Sequence, residues 1–208
     1  MSGAAHGTSA GHPGRTQRTR AAGEGVSDED RAAVAAQLGR APRAMRAVAH
    51  RCGCGLPDVV ETSPRLPDGT PFPTLYYLTC PRASAAVGRI EAAGRMRVMA
   101  ERLRSEADLA VRYREAHEAY LRRRRQLGDV PEIDGVSAGG MPGRVKCLHA
   151  LLAHSLAVGP GINPLGDEVR DEVSPWWSQG RCVEPAVAGQ TGPAEPAVAG
   201  PASRGAPG

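Results

Sequence analysis

The cysteines and the glycine-rich stretch near residue 140 are where the residue types and spacing of this sequence could do chemistry. Cys52 and Cys54 sit in the punctuation "RCGCGLP", and Cys80 closes "TLYYLTC". Cys147 and His149 follow the glycines of "SAGGMPGRVKCLHALLAH" at residues 137–154. Zinc accepts Cys and His side chains in a tetrahedron. Cys52, Cys54 and Cys80, completed by Cys147 or His149, therefore form a candidate ligand set for one zinc ion, structural or hydrolytic. The C-x-C clip is less usual than C-x₂₋₄-C, and no second clip accompanies it. If Cys147 lies inside a helix, it stands about 200° from His149 around the axis, and His149 stands about 140° from His154. Neither pair then chelates a shared ion, which needs spacings of three or four residues.

The same stretch also reads as an anion cradle. Gly139, Gly140 and Gly143 precede an apolar helical run, and the N-terminus of a helix offers free amide donors and a favourable dipole. Arg144 and Lys146 would add charge at that end. The phosphate-loop pattern G-x-x-x-x-G-K-[ST] is not met, because Arg144 replaces the lysine and Val145 carries no hydroxyl. A phosphorylated small molecule, polyphosphate or an acidic protein segment would suit such a site. The plainer alternative is a glycine turn that lets the helix pack closely. His117, between Tyr113 and Tyr120 on one helix face, is better explained as core than as a proton carrier. The run Arg122 to Arg125 fits a solvated helix end, where cations complement the dipole. Trp176 and Trp177 are the only tryptophans, and the sequence gives them no role.

These residues need elements to hold them. Ser27 followed by Asp28, Glu29 and Asp30 is an N-cap with an acidic first turn, and Gly39 supplies a left-handed stop. Short β-like runs follow: "RAMRAVAHRC", "DVVET" and "TLYYLTC". Pro67, Asp68 and Gly69 suit a type I turn between the second and third. After Pro81 a helical period runs to about Leu127, with Glu106 interrupting its apolar seam and a bend near Gly94. Val145, Leu148, Leu152 and Leu156 then mark a buried C-terminal core helix, with Pro142 in its first turn. The fold class expected is α+β: about three mostly antiparallel strands packed against a long helix and that core helix.

Composition bounds the rest. Residues 1–26 lack a periodic apolar face, and residues 174–208 are rich in Pro, Ala and Gly and repeat "EPAVAG". Both read as disordered tails around one domain at residues 27–173. The net charge of +4 shrinks within that domain to 21 basic against 19 acidic residues, which argues against a nucleic-acid partner. No apolar run reaches the roughly 20 residues of a membrane span, and no signal peptide opens the chain. A cytoplasmic location is expected. Five cysteines without a secretory signal make a disulfide framework a poor reading, leaving free thiols or metal ligands.

The segments "DGTPFPTLYYLTCP", "SAGGMPGRVKCLHALLAHSLA" and "GPGINPLGDEV" resemble the bacterial family known as domain of unknown function five-hundred-and-one, over about Val34 to Val169. The resemblance implies a cytoplasmic, actinobacterial-type protein encoded near a septum-formation initiator and an exopolyphosphatase-like enzyme. It supplies no catalytic residue. The leading expectation is a binding or regulatory module for an anionic ligand. The alternatives are a zinc-containing protein and a division-associated protein whose long helix pairs with a coiled-coil partner.

Overall fold

The computed structural model describes residues 25–178 and 180–184. Helix α1, Asp28–Leu38, forms between the two signals that bracket it. The Ser27 hydroxyl accepts from the Asp30 amide at 3.2 Å, and Gly39 leaves the helix at φ 66°. Strands β1 (Met45–Arg51), β2 (Pro57–Thr62) and β3 (Tyr76–Leu78) make an antiparallel sheet in the order β1-β2-β3. The β2–β3 connection turns at Pro67 and Asp68, closed by the Gly69 amide donating to Leu66 O at 2.9 Å. The expected α+β architecture is the one observed.

Every residue of β2 is buried, so both faces of this central strand are covered. Val60 packs with Val34 of α1 and Met45 on one face, while Val59, its neighbour in the alternation, joins the main core on the other. Helix α5, Leu148–Val158, covers that second face. It carries no acidic or basic residue other than two histidines and buries Leu148, Leu151, Leu152, Ala153, His154, Ser155 and Leu156. A helix apolar nearly all round belongs in an interior, and α5 lies among the sheet, α2 and α6.

The long helical run is three helices: α2 (Pro81–Ala92), α3 (Arg95–Ser105) and α4 (Ala107–Leu127). The first break is Gly94 at φ 84°, and the second is Glu106, whose extended backbone (φ −105°, ψ 99°) both ends α3 and starts α4. Helix α6, Pro164–Val173, is capped by Asn163, which accepts from the Gly166 amide at 3.1 Å. A Cβ at Gly166 would stand 2.4 Å from Leu151 O, so glycine sets how closely α5 and α6 approach.

Two expectations need correction here. Two of the four arginines ending α4, Arg123 and Arg124, form an internal clamp, while Arg122 and Arg125 are exposed as a solvated helix end. Arg124 is 4% exposed and donates to the carbonyls of Pro73, Ile133 and Val136. Arg123 grips Glu61 of β2 with two bonds of 2.7 and 3.0 Å. The last core helix also starts later than Pro142: residues 139–147 are irregular, and the first helical residue is Leu148. At the C-terminus, residues 174–178 and 180–184 lie against the domain, with Trp176 only 7% exposed. The expectation of disorder for residues 1–24, 179 and 185–208 falls outside the described residues.

Candidate metal centre

The late start of α5 rearranges the chemistry around it. Cys147 is the N-cap, in extended backbone at φ −156°, so the helical-wheel separation from His149 does not apply. Its sulfur, the His149 ring and a Glu91 carboxylate oxygen all lie within 4.8 Å of one another, and all three residues are half-buried. Glu91 comes from the end of α2. One of its oxygens, Oε1, accepts from the Leu148 amide at 2.7 Å, taking one of the free donors at the start of α5.

The tautomer of His149 follows from its neighbours. Its Nε2 stands 3.1 Å from the Ser84 carbonyl, which can only accept, so Nε2 carries a proton. Nδ1, 3.3 Å from Glu91 Oε1, is the nitrogen that faces the cluster. The nearby Cys147 sulfur, opposed by burial and aided by Glu91, raises His149 to about 9. His149 in turn lowers the Cys147 thiol, with the Ala150 amide outweighing part of the burial cost. Two groups that become anionic thus converge on one ring nitrogen. A single proton there can bond to one of them; a divalent cation would satisfy both.

The glycine turn stands just upstream. Gly139 and Gly140 have φ of 70° and 95°, and a Cβ on them would meet Leu151 Cδ2 at 2.5 Å and Arg144 O at 2.7 Å. The amides of Arg144 and Lys146 are used inside the turn, donating to Gly140 O at 2.9 Å and Gly139 O at 2.7 Å. The Tyr113 hydroxyl donates to Arg144 O at 3.2 Å, which ties the turn to α4. Gly143 has open space around its Cα, and the Arg144 and Lys146 side chains are exposed. Gly139, Gly140 and Gly143 therefore lie in a turn before the helix rather than at its start, and Glu91 takes the Leu148 amide at the α5 N-terminus.

The single ligand set expected from the cysteines divides in two. Cys147 and His149 meet Glu91, and among the described residues no third Cys, His, Asp or Glu other than Glu91 completes a group with both. Cys52, Cys54 and Cys80 gather elsewhere, where Cys182 joins them: the Cys54 and Cys182 sulfurs are 3.8 Å apart. Glu91 and Cys182 escaped the sequence reading. Nothing in "RIEAAGRM" singles out Glu91, whereas Cys182 carried one signal, as the odd cysteine of five.

His117 and the tyrosines are structural. His117 Nδ1 pairs with the Ser137 hydroxyl at 2.8 Å, and the Tyr120 hydroxyl accepts from the Leu75 amide at 2.5 Å. Among the described residues no helix is long and apolar enough to cross a membrane. A family model described as "Protein of unknown function (DUF501)" matches residues 48–171, more than half of the chain. No curated protein and no solved structure matches.

Proposed function

From the premise that this chain belongs to the DUF501 family, we propose that it is a metal–thiolate protein whose open site is built from Glu91, Cys147 and His149. One observation carries the reading: thiol, imidazole and carboxylate donors from two helices converge within 4.8 Å. A Cys–His–carboxylate set suits zinc, and three protein ligands leave a fourth tetrahedral position for water or a substrate oxygen. The Ser84 carbonyl, by holding the His149 Nε2 proton, keeps Nδ1 available as the ligating atom. Arg144 and Lys146, exposed in the turn that leads into Cys147, supply positive charge for an anionic ligand on that fourth position, a phosphate or a carboxylate. The anion reading and the zinc reading then become parts of one site.

Elemental analysis of untagged protein purified without chelator tests this. The parent should retain zinc, Cys147→Ser and His149→Ala should each hold one equivalent less, and both should stay folded because neither side chain is core. Glu91→Gln, which keeps an acceptor for the Leu148 amide, should weaken zinc binding by about tenfold or more. Zinc content unchanged by Cys147→Ser overturns the proposal. A metal-free chain whose Cys147 alkylates faster than its other cysteines replaces it with a nucleophilic thiol paired to imidazolium.

A further inference from the structure

We infer that Cys52, Cys54, Cys80 and Cys182 form a second, closed zinc site that fastens the C-terminal segment to the sheet. The four come from three separate parts of the chain: the β1–β2 turn, the N-cap of α2 and the segment after α6. All four belong to one packed cluster, with Cys52 and Cys80 buried at 4% and 0% exposure. Cys54 and Cys182 have their sulfurs 3.8 Å apart, about the separation of two sulfurs that share a tetrahedral ion at 2.3 Å from each. Cys52 adjoins Cys54, and Cys80 adjoins Cys182. No three of these sulfurs yet lie within 4.8 Å of one another, so an ion would set their side-chain torsions as it binds.

A second observation separates this cluster from buried thiols that happen to touch. A side-chain N–H donor faces one of its sulfurs. The Gln37 amide nitrogen, from α1, donates to Cys182 Sγ at 3.3 Å. A neutral thiol is a weak acceptor that does not call for such donors; a metal-bound thiolate does.

The cover over the cluster is also built. The ring of Trp177 lies against Gly53, where a Cβ would stand 2.6 Å from Trp177 Cδ1, so only glycine between Cys52 and Cys54 admits it. Trp176 packs edge-on to Trp177 with ring centroids 4.6 Å apart. A site with four protein ligands and no open position is structural in kind. It is independent of Glu91, Cys147 and His149, and each can fail without the other.

Because both tryptophans of the chain lie in the fastened segment, their fluorescence reports on the site. Full-length protein purified without chelator should carry one zinc equivalent that survives Cys147→Ser and disappears in Cys54→Ser and in Cys182→Ser. Stripping the ion, or Cys182→Ser, should shift tryptophan emission to the red, and adding zinc back should reverse the shift in the parent and in Cys147→Ser but not in Cys182→Ser. Cobalt in place of zinc should give a sulfur-to-cobalt charge-transfer band in Cys147→Ser, which lacks the other site's thiolate. If Cys54→Ser fails to fold, that band and the reversible emission shift still decide the matter in Cys147→Ser. The inference is overturned if Cys147→Ser holds no metal, if Cys54→Ser and Cys182→Ser keep it, or if mass measurement finds Cys54 and Cys182 joined as a disulfide.

Discussion

His154 is fully buried, stacked on Tyr76 with centroids 5.8 Å apart and edge-on to Tyr120 at 5.3 Å. Its Nδ1 lies 3.2 Å from the Asn163 amide nitrogen, which donates, so Nε2 carries the proton and finds no hydrogen-bond partner among the described residues. Burial lowers its pKa to about 4, partly offset by Asp167. The unfolded chain therefore takes up a proton that the folded one refuses as pH falls below the ordinary histidine value. Stability is lost progressively from about pH 6.5 down to about pH 4, by on the order of 3 kcal/mol. Denaturant melts at pH 4 and pH 7 check this. His154→Phe should flatten the acid loss while costing about 1–3 kcal/mol at pH 7, because Asn163 loses its acceptor. Residue identity alone marked Cys52, Cys54, Cys80, Cys147 and His149 as candidate ligands, but not that they fall into two separate clusters. The partition depends on which sulfur each backbone conformation presents, and that is decided by tertiary packing.

Helices α5 and α6 approach at Gly166, where any side chain would strike the Leu151 carbonyl, a backbone atom already committed to its helix. Gly166→Ala should cost about 1–3 kcal/mol through overpacking, against the small gain in helix propensity it would bring on an open surface. A thermal melt reads the difference. Where an element was announced by chemistry local to its ends, it was legible: the Ser27 cap and the Gly39 stop delimit α1 as expected. Glu106 was visible as a fault in an apolar seam, yet a fault does not say whether a helix bends or ends, and here the backbone turns extended. The start of α5 was misplaced by a sound rule. Proline suits a first helical turn, but the left-handed Gly139 and Gly140 put Pro142 in a turn instead.

Across the whole molecule, the long-range ties run through polar groups as well as through the core. Arg124 of α4 holds carbonyls from two different loops, at Pro73 and at Ile133 and Val136. Arg124→Met should leave those buried acceptors unpaired and cost about 3 kcal/mol or more. Trp176→Ala should cost about 3–5 kcal/mol, since it empties a core position filled from the C-terminal segment. Chemical denaturation followed by circular dichroism measures both. The composition of residues 174–208 hid that segment, because Pro, Gly and Ala dominate it and two tryptophans with one cysteine hardly alter the average. Fold class survived this, being set by the three short strands and the helical periods between them. The extent of the packed core did not.

Cys54 and Cys182 are separated by 128 residues, and Gln37 and Cys182 by 145. A ribosome adds about 5–20 residues per second, so roughly 5–20 s pass between the making of Cys80 and of Cys182. Through that interval the hairpin thiols exist without the residues that will cover them, and β2 waits on α5 for the cover of its second face. The turn that carries Cys52 and Cys54 thus meets the Trp177 ring and Cys182 only when nearly the last described residue has been made.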